Sequence, residues 1–340
     1  MSLASAVIDA SGTWTLPNPM GIDGLSVPGE RGAAGLVSYG IPDVMGAERA
    51  AYAGKTVLVV GSGHSAINAA LALLALQDEE PATKVIWALR RNSIEKLLGG
   101  GLNDQLPGRG ALGLAAKRAI DAGRLQMLAP FVAHRVGSEN GRLAIAASIG
   151  AASVSLVVDR AIVATGFRPD LSLFSELRVA LEPAVEAPPA LAPLIDPNVH
   201  SCGTVPPHGV DELTHPETGF YIVGSKSYGR APTFLMATGY EQVRSIVAEL
   251  AGDPVAARQV HLVLPETGVC SASPITGSDS AGCCGGPAST ETACCVADEV
   301  AKAEGEAGCG CGSASAKETT FAGAAALASP ELHRQGARVL

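Results

Sequence analysis

Residues 55–66 read KTVLVVGSGHSA, from Lys55 to Ala66. The short unbroken apolar run Val57–Val60 suits a strand covered on both faces, and it ends on glycine. The residues that follow, SAINAALALLALQ (Ser65–Gln77), form an apolar helical stretch. Strand, glycine turn and helix in this order make the phosphate-binding corner of a βαβ unit. Gly61 permits the tight turn, Gly63 lets the backbone approach a pyrophosphate, and the small Ala66 lets helix and strand pack closely. Ser62, His64 and Ser65 complete the turn, where free N–H groups and the positive end of a helix dipole suit an anion. GRGALG (Gly108, Gly110, Gly113) has the same glycine spacing, but LNDQLP before it is no strand, so it is set aside.

The rhythm continues outward from that corner. KVIWALR (strand), LGLAAKRAID (helix) and RLQML (strand) predict a parallel sheet with helical crossovers. FVAHRVG, GRLAIAAS and SVSLVVDRAIVATG then predict a three-stranded antiparallel meander packed on that sheet, with Asn140-Gly141 as the hairpin turn between the first two. The fold class expected is α/β, a Rossmann-like parallel sheet with this meander. Composition divides the chain into residues 1–52, a strand and a Pro/Gly-rich connection; 53–163, the nucleotide-binding domain; 164–252, ending on the strand GFYIVGS and a helix from about Phe234 to Leu250; and 253–340, a Gly/Ala/Ser/Cys-rich tail expected to be disordered. Leu235, Val243, Ile246, Val247 and Leu250 give that last helix its approximate period of 3.6 residues.

After its second strand an NAD-binding unit normally offers a carboxylate to the ribose hydroxyls. Here the strand ends on Arg90 and Arg91, and an arginine there can pair with the 2′-phosphate of NADP. NADPH is therefore favoured over NADH, the other reading being two solvated strand-end charges. With 47% hydrophobic residues and 340 positions, the chain can bury a sizeable core. A net charge of −9 disfavours nucleic acid and anionic lipid as partners. The start MSLASAVIDASGTW has no basic n-region, and no run approaches the ~18 apolar residues of a membrane span, so a soluble cytoplasmic protein is expected.

Four stretches in order, DASGTW (Asp9–Trp14), VVGSGHSA, IVATGFRPD (Ile162–Asp170) and GFYIVGSKSYGRAPTF (Gly219–Phe234), resemble the two-dinucleotide-binding-domain flavoproteins. That superfamily includes flavin-containing monooxygenases and thioredoxin-reductase-like oxidoreductases. The resemblance spans roughly residues 5–252. It implies an NADPH domain inserted into an FAD domain, with Ala10-Ser11-Gly12 and Ala164-Thr165-Gly166 as the two crossings. It implies FAD contacts at Gly224, Ser225, Thr233, Phe234 and Leu235, with Gly166 also at the cofactor. The sequence departs from the family in four places. Ser225 stands where an Asp is usual, the monooxygenase fingerprint F-x-G-x-x-x-H is replaced by SYGIPDVMGAERAAY, and the NADPH domain has no C-x-x-C. The strand-G-x-G-x-x-G-helix unit expected before the first crossing is also absent, so the chain looks like the C-terminal two-thirds of such a flavoprotein.

Seven of the eight cysteines lie between Cys270 and Cys311. Cys283-Cys284, Cys294-Cys295 and Cys309/Cys311 form three close dithiols, without the C-x-x-C spacing that zinc prefers. They suit a soft ion such as Cu(I) or trivalent arsenic, and they are similar to tails of arsenic-resistance proteins; incidental cysteines or a redox relay to the flavin are the other readings. Cys202, His200, His208 and His215 are expected to be core or loop residues. Two functions stand at this stage. One is an NADPH-dependent, FAD-containing oxidoreductase passing hydride to flavin and on to oxygen or a thiol or metalloid acceptor. The other is a non-catalytic nucleotide-binding protein whose tail sequesters soft metal. Expected partners are a small-molecule substrate, the tail ligand and, in a homodimer, a second copy of the chain.

Overall fold

A computed structural model describes residues 4–91, 107–200 and 204–262. Its strands are β1 (Val7–Asp9), β2 (Val37–Tyr39), β3 (Thr56–Val60), β4 (Lys84–Ala88), β5 (Gln126–Leu128), β6 (Phe131–Glu139), β7 (Arg142–Ile149), β8 (Ala152–Val158), β9 (Arg160–Val163) and β10 (Phe220–Ile222). The helices are α1 (Arg49–Tyr52), α2 (His64–Glu79), α3 (Pro107–Asp121), α4 (Ala192–Ile195), α5 (Met236–Leu250) and α6 (Pro254–Arg258). The fold is α/β, as the alternating pattern predicts.

β3 lies at the centre of a five-stranded parallel sheet of order β2-β9-β3-β4-β5. Its apolar run is covered on both sides. Val57 and Val59 point into a core with Ile67, Leu73 and Trp87, under α2 and α3, while Leu58 and Val60 meet Leu143, Ile145 and Val158 of the antiparallel sheet β6-β7-β8. Each fully buried aliphatic side chain here stabilises the sandwich by about 1.5–3 kcal/mol. The Asn140-Gly141 turn is as expected, with φ of 50° and 76°. Gly108, Gly110 and Gly113 lie in α3, not in a phosphate turn.

Two differences from the expected pattern bear on the site. First, SVSLVVDRAIVATG is not one meander strand. Its first half is β8, antiparallel to β7, and its second half is β9, parallel to β3. Asp159 breaks the run: its carboxylate accepts Thr56 N–H at 2.7 Å and Arg142 Nε at 2.8 Å, while its own N–H donates to Thr56 O at 2.8 Å. Second, the Pro/Gly-rich connection contains β2, and Met20, Val27, Ala33 and Val37 pack into the meander-side core. Glu30, 1% exposed, ties this segment down by accepting Met20 N–H, Val27 N–H and Tyr39 O–H, each at 2.8 Å. Burial, and then the hydrogen bond to Glu30, push the Tyr39 phenol up to about 12.

β1 and β10 form a separate two-stranded parallel sheet. Tyr221 and Val223 face a core with Leu191, Ile195, Leu213, Tyr228 and Ile246; Phe220 and Ile222 face Phe174. α5 starts at Met236, because Leu235 is extended (φ −121°, ψ 148°), and not at Phe234. Its apolar stripe faces outward. Ile246 is buried, but Val243, Val247 and Leu250 are 40%, 50% and 46% exposed, and the inward face carries Thr238, Glu241, Gln242 and Ser245. Those polar groups have partners inside, which lets them occupy the covered side. Ser245 Oγ, for example, accepts Val210 N–H at 2.9 Å and donates to Ala257 O at 2.6 Å. Among the described residues no helix is long and apolar enough to cross a membrane.

Candidate nucleotide site

The glycine corner lies where β3 hands the chain to α2, at the carboxyl edge of the sheet. From β3 the chain steps outward to β4 and β5, then returns through the meander to β9 on the other side of β3. The corner thus sits at the carboxyl ends of the strands, between β9 and the start of the α2 crossover to β4, the edge at which open parallel sheets bind ligands. Gly61 has φ 140°, and a Cβ on it would run into the carbonyl oxygen of Ala164, just past β9. The corner is pinned by Gly61 N–H donating to Ala88 O (3.1 Å) and by the indole of the fully buried Trp87 donating to Gly61 O (2.8 Å).

Gly63 is exposed and caps α2 with extended backbone (φ −92°, ψ 175°) and no side-chain cap. A Cβ there would meet nothing within 4 Å, so the cradle is open to a ligand on that side. Ala66 is fully buried against the strand. Ser62 and Ser65 are half-buried and His64 is exposed around the same rim, and the first turn of α2 holds no acidic residue. Parallel pairing of Val60 with Ala88 brings the end of β4 to the same edge, and exposed Arg90 and Arg91 follow it there. This donor set, a helix N-terminus with a bare glycine backbone and two guanidiniums, fits a phosphorylated dinucleotide.

The two chain crossings run side by side. Asn18 N–H donates to Gly166 O (2.9 Å), Arg168 N–H to Leu16 O (2.9 Å), and the Thr165 hydroxyl to Asn18 O (2.9 Å). Trp14 lies edge-on to Phe167 with ring centroids 5.7 Å apart. Ser225 Oγ stands 3.8 Å from where a Cβ on Gly12 would be, so the turn after β10 reaches the first crossing.

That turn, Gly224–Tyr228, is held from within. Gln242 Oε1 accepts Gly224 N–H (2.8 Å), Gln242 Nε2 donates to Ser227 Oγ (2.9 Å), and Ser227 Oγ donates to Gly224 O (2.8 Å). Gln242 Nε2 also lies 3.1 Å from His208 Nε2, whose other ring nitrogen is 3.0 Å from Pro206 O. The tautomer with hydrogen on Nδ1 satisfies both contacts, leaving Nε2 to accept. Burial pushes the His208 pKa below its usual value, and burial does the same to His215. His208 is thus a core residue, as expected from its spacing, but one that positions a turn. Stability should be full above the usual histidine value of 6.5 and decline as pH falls below it toward the depressed folded-state values. The urea midpoint is expected to drop between pH 7.5 and 5.5, and His208→Gln to flatten the drop; an unchanged slope would remove His208 from the network.

Gly224 adopts φ 72° with open space where a Cβ would stand, and Ser225 is half-buried beside it. The resemblance assigns the cofactor to backbone amides around Phe234 and Leu235, and the side chains of Thr233 and Phe234 turn inward. The Thr233 hydroxyl donates to Ile195 O (3.1 Å), and the Phe234 ring packs T-shaped on Tyr228 at 5.2 Å. Their side chains serve the core, and half-buried Leu235 is the N-cap of α5. Lys226 carried no predicted role, yet its ammonium sits 2.8 Å from Asp9 Oδ2, 3.1 Å from Ser11 Oγ and 4.8 Å above the Phe174 ring, tying turn to crossing. A lysine in the turn after a buried strand was the available signal. Among the described residues no cluster of three metal-ligating side chains occurs. Cys202 and the tail cysteines Cys283, Cys284, Cys294, Cys295, Cys309 and Cys311 lie outside the described residues.

No family model and no curated protein matches the chain. Among solved structures it is similar to the bacillithiol disulfide reductase Bdr (YpdA) from Bacillus cereus, with 16% identity over 74% of this chain and 60% of that one, TM-score 0.47. It is similar to Lactococcus lactis thioredoxin reductase in the FR conformation (14% identity, 75% of this chain, 64% of that one, TM-score 0.44). A third is T. acidophilum thioredoxin reductase (14% identity, 75% and 65%, TM-score 0.44). The chain spans 60–65% of the length of these three proteins.

Proposed function

We propose that the chain binds NADPH at the Gly61–Ala66 corner and belongs to the flavin-dependent oxidoreductases. The observation that carries this reading is the corner itself, set at the carboxyl edge of a parallel sheet with a bare glycine cradle and Arg90 and Arg91 at the same edge. Backbone amides at the start of α2 would hold the pyrophosphate, and the guanidiniums the 2′-phosphate. For FAD the fitting groups are Gly224, bare and open on one side, Ser225 beside the first crossing, and the N-terminus of α5. A flavin held there supplies an acceptor for the hydride of NADPH. The chain's own contribution is placement: Gln242, Ser227 and the Lys226–Asp9 pair fix the turn against the crossing, and the paired crossings join that turn's subdomain to the nucleotide domain. A disulfide, which takes two electrons and two protons to become two thiols, is the onward acceptor in this reading.

The test uses Trp87, whose indole bonds to Gly61 O. In a Trp14→Phe background, NADPH titration is expected to change Trp87 fluorescence. Replacing both arginines (Arg90→Ala with Arg91→Ala) should weaken NADPH about 10–100-fold and NADH little, the loss expected for a charge-assisted contact. Equal losses for both nucleotides refute the 2′-phosphate role. If the protein takes up no FAD and oxidises no NADPH with an artificial acceptor, the enzyme reading fails and only nucleotide binding stands.

A further inference from the structure

We infer, on the reading that NADPH binds at the Gly61 corner, that Trp14, braced by Phe167, seats its nicotinamide ring and holds the oxidised, cationic form more tightly than the reduced one. In the sheet order β2-β9-β3-β4-β5 the corner closes β3, and Arg90 and Arg91 follow β4 on one side of it. With the pyrophosphate at the start of α2 and the 2′-phosphate at the arginines, the adenosine half occupies the β4 side. The nicotinamide half then crosses the ends of β9 and β2, which lie about 5 and 10 Å from β3.

What stands at those ends is aromatic. β9 runs on through Ala164, Thr165 and Gly166 to Phe167, and β2 runs into Gly40, whose N–H donates to Val163 O at 3.1 Å. A Cβ on Gly40 would stand 3.5 Å from Phe167 Cζ, so the phenyl ring lies beside the end of β2. Trp14 packs edge-on to that ring, with centroids 5.7 Å apart and planes at 64°. The indole also lies against Gly12, where a Cβ would stand 2.9 Å from Trp14 Nε1 and 3.8 Å from Ser225 Oγ. Trp14 is thus placed between the β9 side of the corner and the turn of Gly224 and Ser225, the span that a hydride passing from NADPH to a flavin at that turn has to cross. It is 75% exposed while Trp87 is fully buried, so its indole adds little to the core and offers a face to a planar ring. The nicotinamide of NADP⁺ is a pyridinium, and an indole face attracts a cation within about 6 Å; the dihydropyridine of NADPH is neutral. The cationic side chains nearby in the chain or the turn are offset by partners, Arg168 by Glu186 at 3.4 Å and Lys226 by Asp9 at 2.8 Å.

Calorimetric titration of the full chain with NADP⁺, NADPH and 2′-phospho-ADP-ribose, which keeps both phosphate contacts and lacks the nicotinamide, tests this. Trp14→Ala should weaken NADP⁺ about 3–10-fold, NADPH less, and 2′-phospho-ADP-ribose not at all. Trp14→Phe, which keeps an aromatic face, should recover most of the NADP⁺ loss. The side chain is exposed, so the urea midpoint of both variants should stay at the wild-type value. An NADP⁺ affinity that Trp14→Ala leaves unchanged overturns the inference while nucleotide binding at the corner stands. A loss shared equally by 2′-phospho-ADP-ribose also overturns it, because Trp14 then acts on the corner and not on the ring. If the wild-type chain binds none of the three, the corner reading itself fails and the ring seat falls with it.

Discussion

Gly61→Ala is expected to lower the stability of the nucleotide domain by about 2–5 kcal/mol, the sum of a strained backbone and an overpacked contact. The new methyl group would drive into the Ala164 carbonyl, which cannot retreat because Ala164 N–H is bonded to Val60 O at 2.8 Å in the adjoining strand. The φ of 140° adds strain that no L side chain relieves. Gly63→Ala, two residues on, is the matched control. Its φ of −92° is ordinary and its Cβ direction is empty, so the expected loss is only that of alanine for glycine at an N-cap, about 1 kcal/mol and below that of Gly61→Ala. The same methyl group would stand in the cradle, and NADPH affinity should fall about 10-fold or more from lost amide contacts. Urea denaturation and nucleotide titration of the two variants separate the roles. Loss of stability in Gly63→Ala with a neutral Gly61→Ala would reverse the assignment.

The corner was legible because everything that defines it falls within a dozen residues. A both-faces-buried strand, a glycine turn and a small residue at Ala66 are local patterns, and the structure places them as that pattern requires. β2 was not legible, since Val37–Tyr39 becomes a strand through pairing with β9, far away in the chain. The division of SVSLVVDRAIVATG at Asp159 was hidden because both halves have the same β-branched character, and only the partners of one carboxylate separate them. For α5 the period correctly showed a helix with an apolar stripe. Periodicity does not say whether anything covers that stripe, and here a polar network claims the inner face. The Lys226–Asp9 pair joins opposite ends of the described chain, and no window of sequence displays it.

That pair gives the other large effect. Lys226 and Asp9 side chains are 4% and 9% exposed, so Lys226→Met leaves a carboxylate in a largely dry site. The expected cost is about 3–5 kcal/mol, far above that of a surface ion pair. Burial alone would raise the Asp9 pKa, but hydrogen bonding to Lys226 and Ser11 and the lysine charge outweigh it and hold the carboxyl below its usual value of 3.8. With the folded-state value depressed, the stabilisation is fully present above that usual value and is lost as pH falls through the lower folded one. Without the lysine, burial dominates, the sign reverses, and acid should relieve part of the Lys226→Met defect. Pairing the change with Asp9→Asn removes the stranded charge and should recover most of the midpoint, because the penalty belongs to the unpaired ion and not to the missing contact. Urea midpoints of the two single variants and the double variant, measured from pH 7 downward, decide it. Additive losses in the double variant would mean that the two side chains do not act as a pair. NADPH affinity should be unchanged in the double variant, since the pair fixes the β10 turn against the first crossing and lies outside the Gly61 corner.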